Sequence, residues 1–239
     1  NTTPEATDLH AFFARMAEKG QSACVMEVSS HSLALSRVYG IRFRAAAFTN
    51  LTRDHLDFHG DFKAYLDAKS ILFSSLSGDS TAVVNADDQA AGHIMSVSRG
   101  SNILTFGFEG ERSNKPTVME LGADGSHVVL ASPSGPISFD LNLPGRFNVA
   151  NAMTAAGIAL ACGFPGEVVA QGLSALKSVP GRFQTVDSGQ DFTVIVDYAH
   201  APDALERVPL AAREIARGRI ISVFGCGGDR DRGQHPMEG

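Results

Sequence analysis

The chain has 239 residues, with 44% hydrophobic and 19% charged content, enough for one large core or two smaller ones in a globular protein. A net charge of -6 and the lack of any basic stripe argue against a nucleic-acid partner, because nothing is in place to neutralise phosphates. No apolar run reaches the roughly 18 residues of a membrane span, and Cys24, Cys162 and Cys226 share no CxxC spacing. Cys24 and Cys162 lie in apolar runs, so buried reduced thiols in a cytoplasmic protein are expected. Residue 1 is Asn rather than Met, so the missing signal sequence carries little weight.

Thr3-Pro4-Glu5 predicts a helix start, with Pro4 tolerated in the first turn and Gly20 as the stop. Residues 23–28 are apolar except for Glu27, the pattern of a strand covered on both faces, and residues 43–49 predict a second. Between Asp61 and Leu76, apolar residues recur at helical spacing. Residues 81–84 predict a short buried strand, with a helix following from Asp87. Helix alternating with strand at this rhythm predicts a parallel α/β sheet.

Residues 102–143 change to short alternating strands and turn residues, predicting an antiparallel meander. Helices return at 148–162 and 165–176. Pro180-Gly181 then punctuates the chain before strands at 193–196 and 219–224, which flank a helix at 202–217. The expected organisation is a domain over 1–181 and a second, incomplete one over 182–239.

Lys69 falls in the stripe of Phe62, Tyr65, Leu66, Leu72 and Phe73, so its stem is expected to point toward the core. An ammonium there must snorkel out, find a carboxylate or change its chemistry; a neutral amine can react with carbon dioxide to form a carbamate. Glu27 at the end of a predicted strand stands where open α/β sheets place ligand-binding groups. Hard cations prefer such oxygen donors. His55 sits in the loop Thr49-Asn-Leu-Thr-Arg-Asp-His-Leu-Asp57. Asp54-His55-Leu56-Asp57-Phe58-His59 by itself also reads as a metallohydrolase fragment. That reading needs further ligands, and His93 and His127 lie in ordinary contexts, so Asp57 and His59 are expected to fix the loop.

Glu27-Val-Ser-Ser-His31, the loop 49–57, Lys69 and Asp197-Tyr-Ala-His200, in this order, resemble the Mur ligases, ATP-dependent amide-forming enzymes of peptidoglycan precursor synthesis. The resemblance runs nearly end to end. It implies a central P-loop-type ATPase domain of α/β class joined to the start of a Rossmann-like C-terminal domain. It also implies a monomeric ligase using ATP and Mg2+. Glu27, His55 and a carbamylated Lys69 would hold the metal. Asn1, Thr2, Thr3, Ser29 and Arg37 match positions that bind the UDP-MurNAc-dipeptide, here UDP-MurNAc-L-Ala-D-Glu. Leu35 stands where the family often has glutamine.

The remaining motifs follow the same resemblance. Asn148 and Asn151, in Gly145-Arg-Phe-Asn148-Val-Ala-Asn151, would lie near the adenine, although from the residues alone they could equally cap the helix they open. Arg182 would reach the ATP phosphates, and Asp197 and His200 would serve the nucleotide. Asp203 could be an early helix residue favoured by the macrodipole. Arg230, in the glycine-rich stretch 225–232, would contact the incoming amino acid, meso-diaminopimelate. Gln234-His235-Pro236 departs from the more basic sequence usual there.

No G-x-x-x-x-G-K-[ST] or G-x-x-G-K-[ST] phosphate loop occurs in the 239 residues. By resemblance it would precede Asn1, and an amino-acid selectivity motif would follow Gly239. The expectation is an internal piece of an enzyme, with little activity alone. A lysine-adding ligase of the same family, folylpolyglutamate synthase, a metallohydrolase and an inactive nucleotide-binding module are the alternatives.

Overall fold

The computed structural model describes residues 2–52, 56–122, 124–200, 202–216 and 218–225. The chain opens with α1 (Ala6–Glu18), whose last turn closes at Gly20, φ 73°. A short α2 (Ser30–Ala34) precedes β1 (Ala45–Phe48), α3 (Leu56–His59) and α4 (Phe62–Ser74). Asp61 caps α4 by accepting the Ala64 N–H at 2.8 Å. Then come β2 (Thr81–Asn85), α5 (Ala91–Val97) and β3 (Asn102–Phe106). The strands form a parallel sheet in the order β1-β2-β3, with Ala45 opposite Thr81 and Thr81 opposite Asn102.

Ala82, Val83 and Val84 of β2 are fully buried, as a central strand covered on both faces requires. Their side chains alternate between two cores. Ala82 and Val84 pack with Tyr65, Leu72 and Phe73 of α4 and Ile94 of α5. Val83 faces the other way, toward α6 (Arg146–Ala161), where it meets Val149, Ala152, Met153 and Ala156.

The second core is shared with an antiparallel sheet of β4 (Lys115–Leu121), β5 (Ser126–Ala131) and β6 (Ile137–Leu141). Val128, Leu130, Ile137, Phe139 and Leu141 point inward from it, and α7 (Gly166–Ala175) adds Val169 and Leu173. Alternation of buried and open residues along β5 and β6 marks a sheet with only one covered face. The last elements among the described residues are a two-stranded antiparallel ribbon, β7 (Gln184–Val186) with β8 (Val194–Val196), and α8 (Pro202–Ile215).

Several expectations are corrected. Residues 21–29 form no strand, and Val25 is 85% exposed. An apolar run becomes a strand only when another strand supplies its hydrogen bonds, and among the described residues none pairs with it. Residues 219–224 likewise form no strand, and Val223 is 93% exposed. The stretch 102–106 joins the parallel sheet rather than the meander, because its backbone pairs with β2. Cys24 and Cys162 are both free and exposed: the first lies in the uncovered run, and the second caps α6 where the chain turns away at Gly163, φ 87°.

Candidate active site

Ligand-binding groups of a parallel sheet gather where its strands end, and here one side chain at the end of β2 and one just beyond it fix the loop that leaves β1. The Asn85 amide donates to the Thr49 carbonyl at 2.7 Å. The Asp88 carboxylate accepts the N–H of Leu51 at 2.9 Å and that of Ala90 at 2.8 Å. His55, further along that loop, lies outside the described residues, as do Asn1 and Arg230.

Nearer the start of the chain, Thr3 is buried and its hydroxyl donates to the Glu27 carbonyl at 3.0 Å while accepting the Ser29 N–H at 3.5 Å. Arg37 donates to the Thr3 carbonyl at 3.3 Å and pairs with Glu5 at 2.8 Å. Ser29 caps α2 by accepting the Ser32 N–H at 3.2 Å. Thr3, Ser29 and Arg37 are therefore brought together around the backbone of Glu27, each with an architectural role of its own. Glu27 itself is exposed, in an irregular segment rather than at a strand end. Thr2 is also exposed, and so is Leu35, where α2 stops.

Lys69 is half-buried on α4, as its place in the stripe predicts, with Nζ 5.1 Å from the centre of the Tyr65 ring. The quadrupole of that ring favours a cation over its face. Tyr65 stacks on His59 with centroids 5.2 Å apart, and His59 Nε2 lies 2.9 Å from the Ser30 hydroxyl. His31 in turn lies against Phe58, centroids 4.1 Å apart. This run of rings joins α2, α3 and α4, linking the segment after Glu27 to the helix that carries Lys69.

At the start of α6, Asn148 is buried and donates to the Pro144 carbonyl at 2.9 Å, while exposed Asn151 donates to the side-chain Oδ1 of Asn148 at 3.4 Å. Asn148 thus secures the helix start from within its first turn, leaving Asn151 as the accessible amide. Edge-on to Phe147 of the same turn, at 5.1 Å between centroids, stands Phe183. Its neighbour Arg182 is exposed, with the guanidinium 5.8 Å from the centre of the Tyr198 ring. Asp197 accepts the N–H groups of Phe183 at 2.7 Å and Ala199 at 2.8 Å, and His200 Nδ1 lies 2.9 Å from the Tyr198 carbonyl. Arg182, Asp197 and His200 are therefore close neighbours, and the Phe147–Phe183 contact sets them beside the start of α6.

Two family models match this chain: the Mur ligase middle domain over residues 1–159, and the Mur ligase, glutamate ligase domain over residues 181–238. The chain belongs to the Mur ligase family. Similar Mur ligases include the UDP-N-acetylmuramoyl-L-alanyl-D-glutamate--2,6-diaminopimelate ligase of Bacillus licheniformis, 43% identical over 99% of this chain and 49% of the relative. That of Gloeobacter violaceus is 45% identical over 100% of this chain and 49% of the relative. A solved structure of a ligase with this name has a TM-score of 0.79 at 33% identity, covering 99% of this chain and 49% of its own. A MurF ligase from Thermotoga maritima in complex with ADP has a TM-score of 0.62 at 19% identity, over 77% of this chain and 42% of its own, and shares the fold. The chain spans about half the length of the curated relatives it matches.

Sequence reasoning singled out neither Asn85 and Asp88 nor Phe183. The first two had a visible signal, an Asn-Ala-Asp-Asp run directly after a buried strand. Phe183 had none, since the contact that marks it, its N–H on Asp197, joins residues distant in sequence.

Proposed function

We propose that these residues belong to an ATP-dependent, cytoplasmic, monomeric ligase that joins meso-2,6-diaminopimelate to UDP-MurNAc-L-Ala-D-Glu in peptidoglycan synthesis. The observation that carries this reading is the 40–45% identity, over nearly the whole chain, to ligases named for that reaction. The units would be residues 1–181, a central ATPase domain, and 182–239, the start of a Rossmann-like domain. Among the described residues no helix is long and apolar enough to cross a membrane.

In this reading the D-glutamate carboxylate attacks the γ-phosphorus of ATP and ADP leaves, giving an acyl phosphate. The diaminopimelate amine then attacks the acyl carbon and phosphate departs with the bonding pair. The protein's part is mainly positioning and charge stabilisation. Thr2, Thr3, Ser29 and Arg37, with Asn1, would hold the muropeptide. Asn148, Asn151, Arg182, Asp197 and His200 would serve the nucleotide, and Arg230 the amino acid. Arg182 stands beside the junction of the two units, so its cation would meet the charge on the transferring phosphoryl group when the units close.

Glu27, His55 and Lys69 would hold Mg2+, which neutralises phosphate charge when bound. Among the described residues no three His, Cys, Asp or Glu side chains gather into a metal cage. Magnesium fits nonetheless, because it usually takes one or two carboxylates beside substrate phosphates. The exposed Glu27 carboxylate suits that role. Lys69 suits it only as a carbamate, whose oxygens replace an ammonium that would repel the ion.

The test is phosphate release by the full-length gene product with ATP, Mg2+ and UDP-MurNAc-L-Ala-D-Glu, supplied with meso-diaminopimelate, with L-lysine or with no amino acid. Release that depends on diaminopimelate is expected. Dependence on lysine would change the substrate, and release dependent on neither would sink the ligase reading.

A further inference from the structure

Among the described residues only Ser36 and Phe183 combine a side chain with left-handed backbone, and Phe183 does so at φ 47°. A bulky residue stays in that region only where its surroundings hold it there. Phe183 is fully buried, with its ring edge-on to Phe147 at the start of α6. The hold comes from the strand end across the turn. Asp197 Oδ2 accepts the Phe183 N–H at 2.7 Å, and Oδ1 accepts the Ala199 N–H at 2.8 Å. The Tyr198 N–H donates to the Gly181 carbonyl at 2.8 Å, and the Gly181 N–H donates to the Gln184 side chain at 3.0 Å. Pairing of Gln184 with Val196 continues the clamp into β7 and β8.

Arg182 lies between the two clamped residues, Gly181 and Phe183, and its guanidinium is on the exposed side near the Tyr198 ring. We infer that Asp197 is also a positioning residue, which locks Phe183 into the wall beside α6 and thereby sets Arg182, a role additional to the nucleotide contact proposed above. Each carboxylate oxygen holds one main-chain N–H and keeps a lone pair for a further donor, and these two bonds tie the strand end to the turn. Without them Phe183 relaxes to negative φ, its ring leaves Phe147, and Arg182 loses its fixed origin. The inference rests on the proposed role of Arg182 at the ATP phosphates.

The full-length gene product would carry Asp197→Asn, Phe183→Ala or both, and kcat and the Kd for AMP-PNP would be measured. An interaction made only in the closed transition state lowers kcat and leaves nucleotide affinity. Each single variant should therefore lose about tenfold or more in kcat, Phe183→Ala with Kd within about threefold, and the double variant should be no worse than the poorer single. Wild-type kcat in Phe183→Ala, or losses that multiply in the double variant, would overturn the inference.

Hydrogen exchange on the wild-type protein decides the matter even if the variants do not fold. The Phe183 and Ala199 amides should exchange on the order of 100-fold more slowly than that of Asp191 in the β7–β8 turn. Equal rates would overturn the clamp. Exchange does not depend on the reaction, so a wild-type protein with no ligase activity would fail the functional reading while leaving the clamp testable.

Discussion

Asn85 reaches from the end of β2 to the carbonyl of Thr49 at the end of β1, a hydrogen bond of 2.7 Å between neighbouring strands of the parallel sheet. Asp88, three residues on, holds the N–H of Leu51 in the same loop. Together they anchor the start of the segment that continues to His55. Replacing Asp88 with Ala leaves the N–H groups of Leu51 and Ala90 to find other partners, at a cost of about 1–3 kcal/mol if both stay buried. Asp88→Ala should lower the unfolding midpoint in urea and weaken Mg2+ binding, measured by calorimetry with AMP-PNP present. Unchanged metal affinity in a destabilised protein would show that the anchor serves the fold alone.

Gly157 is where α6 crosses β2. A Cβ there would lie 2.6 Å from Val83 Cγ1, closer than real Cβ atoms approach. Val83 is fully buried in the central strand and has little room to yield. Gly157→Ala should destabilise the protein by about 1–3 kcal/mol through overpacking. Val83→Ala removes the offending methyl, so the double variant should recover part of the loss seen in either single variant. Additive losses in urea unfolding would place the strain elsewhere.

Lys69→Ala removes the proposed carbamate from α4. Turnover of the full-length protein should fall to background, and a short-chain carboxylic acid added to the assay should restore part of it by supplying the missing oxygen donor. Lys69→Arg keeps the cation near Tyr65 but cannot form the carbamate, so it should be as inactive as Lys69→Ala. Normal turnover in either variant would end the carbamate assignment.

Arg37 serves two partners of different worth. Its pair with Glu5, whose side chain is 59% exposed, should contribute at most about 1 kcal/mol after solvent screening. Its bond to the Thr3 carbonyl is less exposed, and its own side chain is 14% exposed. Glu5→Gln should therefore leave stability and KM nearly unchanged. Arg37→Ala should lower stability and raise KM for UDP-MurNAc-L-Ala-D-Glu. Equal effects from the two variants, in melting and steady-state assays, would reduce Arg37 to a surface ion pair.

Much of the middle region was legible from its residues. The helical spacing around Lys69, the apolar run that became β2 and the asparagines opening α6 all rest on patterns that close on themselves within a few residues. The family was legible for a similar reason, since its motifs survive as ordered runs of residues. The run around Glu27 and the one before Cys226 were misread as strands, because apolar character shows that a segment can be covered and not that a partner strand is there to bond it.

From the sequence alone came the α/β rhythm, the buried stripe beneath Lys69 and the family, because a helix satisfies its hydrogen bonds four residues away and a motif needs no neighbour to be read. Only the tertiary structure decided that Thr3, Ser29 and Arg37 converge on Glu27, that β3 joins the parallel sheet, and that Asp197 turns both oxygens onto the backbone. Each of those depends on a partner distant in sequence, and the chain must fold before that partner exists.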